Sequence, residues 1–204
     1  MGLSTERKSA TVKIVNNSSH NIISAGVVHK YSDVYSDSHI FTDIKKGQAS
    51  SDEMHVSFNI GFFTTGRDWW QVTWVTDDGK AHLTTPNNFR DIIDRLESVS
   101  TKIVGPLATI GAAAAAIASG GTATPVAIAA ATLVTTVVAN VLSNSESTAG
   151  FKQHILREDD TGENKIVIYD DRVEFKSHSG DSSTVLTTIH AKKNKDGEYE
   201  VIKS

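Results

Sequence analysis

Hydrophobic and polar residues alternate with period two at both ends of this chain and change to a helical period between them. Residues 10–15 (Ala-Thr-Val-Lys-Ile-Val) alternate as a half-buried strand does, and Asn16-Asn17-Ser18-Ser19 supplies turn chemistry. Ile22–His29 reads as a second strand, followed by a polar, aromatic loop over Lys30–Ser38 and a turn at Lys45-Lys46-Gly47. Met54–Phe63 is a third strand, with Met54, Val56, Phe58 and Ile60 on one side. Trp69–Val75 and Lys80–Thr84 flank the hairpin turn Asp77-Asp78-Gly79. After Gly150 the strands resume at Phe151–Glu158, Lys165–Tyr169, Arg172–His178, Ser183–Ala191 and Glu198–Ile202. About five short strands on each side predict an α+β, mainly β fold. We expect one antiparallel β-sandwich built from residues 10–84 and 150–204, after a flexible N-terminus at 1–9.

The middle of the chain, residues 85–149, reads as a helical insert. Thr85-Pro86 opens an amphipathic helix with Phe89, Ile92, Ile93, Leu96 and Val99 on one face. It leads into a run from Ile103 to Ser145 without a charged residue or histidine, although 22% of the chain is charged. Two apolar segments, Ile103–Ala118 and Thr124–Leu142, are joined by Ser119-Gly120-Gly121-Thr122-Ala123. Pro125 stands at a favourable first helical position with Thr124 as N-cap. Ala108, Ala112 and Ala116, and then Ala127, Ala131, Thr135 and Ala139, recur at steps of four. Small residues at that spacing let helices approach closely, so an Ala/Gly-rich helical hairpin over 103–142 is expected.

Three readings of the hairpin stand open. As a conditional membrane device it would insert Ile103, Leu107, Ile110, Ile117, Val126, Ile128, Leu133, Val134, Val137, Val138, Val141 and Leu142. Its segments of 16 and 19 residues are marginal against the roughly 20 that a spanning helix needs. As a structural element it would be buried against the β-domain or a second copy. The β-branched stretch Thr132–Val141 also fits a strand.

With 204 residues and a net charge of −4, the chain has room for a core and no electrostatic footprint for nucleic acid. Cysteine is absent, which excludes disulfides and thiolate chemistry and fits a reducing compartment. The first eight residues lack the apolar core of a signal peptide, and Glu6 breaks a myristoylation pattern. The expectation is cytoplasmic synthesis, with membrane association only on activation.

Two polar, aromatic clusters stand out: His29-Lys30-Tyr31-Ser32-Asp33 with Tyr35, and Thr64-Thr65-Gly66-Arg67-Asp68-Trp69-Trp70 with Trp74. On a strand Trp70 and Trp74 share a face and Trp69 takes the other. Tyr31, Tyr35, Trp69, Trp70 and Trp74 are therefore candidates for a surface aromatic patch at a membrane or partner. The alternative is a sheet covered on both sides. His29 and Asp33 suggest an acid–base pair, but no nucleophile or third member accompanies them. The Asp159–Glu163 stretch lacks the EF-hand pattern. No P-loop, G-x-G-x-x-G or G-x-S-x-G motif is present. We expect no enzyme, no cofactor and no metal.

Val12–Ser18, the H-K-Y-S-D cluster, T-T-G-R-D-W-W and Thr85-Pro86-Asn87-Asn88-Phe89-Arg90 together resemble the Up-regulated-in-Daf (PUD-like) domain family. The resemblance covers about residues 10–100 well and the C-terminal strands loosely. It implies a β-sandwich, a tendency to dimerise and no catalytic residues. The layout is also similar, at fold level, to small sandwich cytolysins.

Two functions are consistent with these readings. One is a membrane-active, pore-forming or membrane-inserting protein of toxin or defence type, with membrane lipid as partner and assembly as a homo-oligomer. The other is a soluble, dimeric interaction module whose hairpin is buried in the core or the dimer seam.

Overall fold

The computed structural model describes residues 5–32, 34–61, 66–85, 125–193 and 199–203. Among them are eleven strands and one α-helix. In chain order these are β1 (Glu6–Asn16), β2 (Ile22–Tyr31), β3 (Tyr35–Ile44), β4 (Met54–Ile60), β5 (Asp68–Thr76) and β6 (Ala81–Thr84). Then follow α1 (Pro125–Ser143), β7 (Lys152–Gln153), β8 (Glu163–Ile168), β9 (Arg172–Ser177), β10 (Gly180–Lys193) and β11 (Tyr199–Lys203).

The strands form one continuous sheet in the order β3-β2-β5-β6-β10-β9-β8-β1-β4, with β11 beside β10 and β7 beside β5. Its ends approach each other and make it nearly a barrel. The Asp37 carboxylate on β3 accepts the Ser57 amide of β4 at 2.9 Å, and the Tyr35 hydroxyl donates to Asn59 Oδ1 at 3.1 Å. β10 links the halves of the chain: Gly180–Val185 pair with β9 and Leu186–Ile189 with β6. This corrects the expected sandwich, because two separate sheets do not form. It also corrects the all-antiparallel expectation, since β1 and β8 run parallel from Thr11↔Glu163 to Asn16↔Ile168. Alternation specifies which face of a strand is buried, but not which strand lies beside it.

The interior is filled by inward residues of the strands: Ala10, Val12 and Ile14 of β1, Val27 of β2, Phe41 of β3, Met54, Val56 and Phe58 of β4, and Val173 and Phe175 of β9. β1 and β4 follow the period-two expectation. β3 does not, and its Tyr35–Ser38 start falls within the expected loop. Only Phe41 and Ile44 are fully buried on it, so the hydrophobic signal for a strand is weak.

β2 is buried at every position because α1 covers its outer side. The second apolar segment is thus a helix, not a strand, and begins at Pro125 as expected. No helix among the described residues is long and apolar enough to cross a membrane. The amphipathic helix and the first hairpin segment, with Ile103, Leu107, Ala108, Ile110, Ala112, Ala116 and Ile117, lie outside the described residues. Only one helix of the expected hairpin is therefore on view, and it packs on a sheet.

Candidate functional site

α1 rests on β2 through the small-residue stripe of its sequence. Ala131, Thr135 and Ala139 are all at most 4% exposed. Beneath them β2 carries Ser24 and Gly26. A Cβ on Gly26 would stand 2.9 Å from the Thr135 carbonyl oxygen and 3.4 Å from the Ala139 Cβ, so only glycine leaves room for the helix backbone. Thr135 Oγ1 donates to its own helix at the carbonyls of Ala131 (3.2 Å) and Thr132 (3.1 Å). Its lone pair then accepts the Ser24 hydroxyl at 2.6 Å. The stripe expected to meet a second helix thus packs on a sheet, and the other segment of the expected hairpin lies outside the described residues. Ala131 and Ala139 meet a strand, for the same steric reason that suited them to a second helix.

Around this seam Val138 and Leu142 pack with Ile23, Val28, Val75, Leu83 and Phe151, while Val141 and Trp69 are partly buried beside them. Of the other expected insertion and packing positions on α1, Val126, Ala127, Ile128, Leu133, Val134 and Val137 have side chains outside the described set. Val138 and Leu142 face the sheet, not an open surface.

The C-terminal end of α1 is clasped separately. Ser36 Oγ of β3 lies 2.9 Å from Ser143 Oγ and donates to the Ser143 carbonyl at 3.1 Å. The Lys30 ammonium donates to the Ser145 carbonyl and lies 5.0 Å over the Phe151 ring. The last turn of α1 carries no basic residue; Lys30 supplies from β2 the cation that favours a helix C-terminus.

The two sequence clusters turn out to be halves of one unit. Their strands pair in the register Tyr31↔Asp68, Lys30↔Trp69 and His29↔Trp70. His29 and Asp68 are both 0% exposed. His29 Nε2 donates to Asp68 Oδ1 at 2.8 Å, and Nδ1 faces Asp37 Oδ2 at 3.4 Å. Burial opposes charging of the imidazole, but the hydrogen bonds and charges of Asp37 and Asp68 outweigh it and raise the pKa. The partner of His29 is therefore not Asp33, which lies outside the described residues. The Asp37 carboxyl is also desolvated, yet His29 and the Ser57 amide hold it below the usual carboxylate value.

The remaining contacts tighten the same unit. The Asp68 Oδ2 accepts the Leu156 amide at 2.9 Å, and Trp70 Nε1 donates to the His154 carbonyl at 2.9 Å. The Trp70 and His29 rings lie 4.3 Å apart. Ser32 and Arg67 exchange bonds, Ser32 N to Arg67 O at 3.0 Å and Arg67 N to Ser32 Oγ at 3.1 Å. A Cβ on Gly66 would stand 2.1 Å from the Tyr31 hydroxyl.

This placement corrects the surface aromatic patch. Tyr31, Trp70 and Trp74 are at most 3% exposed. Trp69 is half-buried in the α1 seam, and Tyr35 packs on the core with the Arg7 guanidinium 4.6 Å above its ring. An imidazole with no exposed surface cannot take a proton from an outside substrate. Asp160, in the stretch compared above with an EF-hand loop, accepts the Ser179 amide (2.8 Å), the Ser179 hydroxyl (2.6 Å) and the Arg157 amide (2.6 Å). It serves as a turn clamp, and no group suited to a metal ion occurs among the described residues.

Sequence reasoning missed Ser24, Gly26, Asp37 and Asp68 as the partners of these groups. A glycine inside a strand is a sign of close backbone approach, and Gly26 carried that sign.

No curated protein matches the chain. The family model described as Up-Regulated in long-lived daf-2 matches residues 6–186, extending well beyond residue 100 into the C-terminal strands. On that match the chain belongs to the Up-Regulated in long-lived daf-2 family.

Proposed function

We propose that this protein is a non-enzymatic, membrane-active module that stores an uncharged segment on its curled β-sheet and releases it into a bilayer. One observation carries this reading. α1 has no charged residue on any face, yet is held to β2 by small residues and the Ser24–Thr135 hydroxyl pair. A helix whose polar groups are all uncharged can lie in an interior or a membrane. Insertion would draw on the whole run 103–142, with each helix satisfying its own backbone and oligomers shielding the hydroxyls of Thr132, Thr135 and Thr136.

A second reading is favoured by the completeness of the seam. With Gly26, Ser24 and Thr135 fitted as they are, α1 is a permanent layer and the protein an interaction module. A dimer would then use other surfaces than Ala131 and Ala139, which are spent inside one chain.

A reversible lock separates the two. The chain has no cysteine, so Ser24→Cys with Thr135→Cys introduces one defined disulfide across the 2.6 Å hydroxyl contact. Dye release from phosphatidylcholine–phosphatidylserine vesicles should be blocked in the oxidised protein and restored by reductant. Vesicles that stay intact with wild-type and reduced variant alike remove the membrane reading and leave the permanent layer.

A further inference from the structure

A cavity of about 780 Å³ lies where α1 ends, between the β2–β3 turn and residues 143–146. Its wall is dense in hydroxyls, from Ser32, Tyr35, Ser36, Ser143 and Ser145. Asn144 adds an amide, and among the described residues of the wall one cation, Lys30, is matched by one carboxylate, Glu146. The formal charge of this described lining is therefore zero. Val34, 59% exposed, and the Tyr35 ring add apolar surface at the rim.

Three ligand chemistries compete for such a wall. An anion would meet the negative end of the α1 dipole and Glu146, and the Lys30 ammonium already serves the Ser145 carbonyl. A cation would meet Lys30. A neutral polyhydroxyl compound meets groups that, like its own hydroxyls, both donate and accept. It also brings no charge to desolvate, and its C–H faces suit Val34 and Tyr35. Its volume lies within the range of small-molecule sites. We propose that this cavity binds a neutral saccharide, either free or as the headgroup of a glycolipid.

The wall residues Ser36 and Ser143 are also the hydroxyls that clasp the helix end. A sugar that takes their hydrogen bonds competes with the clasp, so occupancy loosens the C-terminus of α1. This coupling rests on the release reading, whereas the binding does not.

Calorimetric titration of the full chain tests the site, using neutral mono- to trisaccharides as probes and choline and inositol hexakisphosphate as charged controls. A second arm measures binding to phosphatidylcholine vesicles with and without a neutral glycosphingolipid. Expected is binding to at least one neutral sugar, weakened about tenfold or more by Glu146→Gln and by Asn144→Ala, with unchanged melting temperature. Both variants alter exposed side chains. Binding in both arms assigns recognition to the sugar itself; binding on glycolipid vesicles alone assigns it to the headgroup at a membrane. No binding in either arm, preference for a charged control, or affinity unchanged in both variants overturns the proposal. Sugar binding without dye release keeps this site and removes the release reading; dye release without sugar binding does the reverse.

Discussion

Gly26 of β2 lies directly under Thr135 of α1, so closely that a Cβ on the glycine would stand 2.9 Å from the threonine carbonyl oxygen. The helix is seated on backbone, and the position of α1 depends on one missing side chain. Ile40 closes the same spot from β3, with its Cδ1 at 3.2 Å. Gly26→Ala should therefore destabilise the protein by about 1–3 kcal/mol, the usual cost of overpacking. Guanidinium denaturation checks this; an unchanged midpoint would mean that α1 is not seated here.

The Asp68 carboxylate joins β2, β5 and the segment after β7 through His29 and the Leu156 amide. Removing one partner of a buried charged pair costs about 3–5 kcal/mol, and Asp68→Ala should lose an amount in that range. Asp68→Asn, which keeps an acceptor oxygen, should lose less. Equal losses, read from denaturation curves, would show that the charge contributes nothing beyond the hydrogen bond.

The His29 pKa is raised from 6.5, with desolvation opposed by the hydrogen bonds of Asp37 and Asp68. Its stabilisation is thus complete below the unfolded value near 6.5 and is lost as pH climbs through the higher folded value. Asp37 acts with the opposite sign, because its pKa lies below 3.8: its contribution is present above that value and lost as pH falls through the folded one. His154, lowered from 6.5 by burial, contributes above 6.5 and loses that contribution on the acid side. The difference in stability between wild type and His29→Gln isolates the first term. It should be largest between about pH 4 and 6.5 and shrink as pH rises further. A difference that grows with pH would mean that His29 is buried neutral.

Gly66 faces the Tyr31 ring, and a Cβ there would stand 2.1 Å from its hydroxyl and Cζ. The phenol is held in place by its bond to the Asn59 carbonyl at 3.1 Å. Gly66→Ala should cost about 1–3 kcal/mol, and the loss should shrink when Tyr31→Leu is added, as expected of residues in contact. Additive losses in thermal melts would separate the two positions.

The Ser24→Cys, Thr135→Cys lock should also stabilise the fold, by about 2–4 kcal/mol for a cross-link that closes a long loop. Urea denaturation with and without reductant measures it. A less stable oxidised form would show that the seam cannot reach disulfide geometry.

The strand faces of β1 and β4, the turns at residues 16–19 and 77–79, and the start of α1 at Pro125 were legible because each depends on neighbours in the chain. Period two, a glycine at positive φ such as Gly79, and a proline at the first helical turn act locally. The H-K-Y-S-D and T-T-G-R-D-W-W clusters were legible as features, but their meaning was not. They suggested a surface, whereas their residues His29–Tyr31 and Asp68–Trp70 face each other across the β2–β5 ladder. Nothing in either segment encodes that pairing alone.

The amino-acid sequence by itself determined a mainly β chain, a family, and an uncharged segment with small residues every fourth position. Tertiary structure alone decided that one sheet curls into a near-barrel, that β1 and β8 run parallel, and that the stripe on α1 meets Gly26. The reason is physical. A stripe of small residues specifies close approach without specifying to what, and a buried histidine specifies partners without naming them. Both are resolved by strands that lie far apart in the chain and side by side in space.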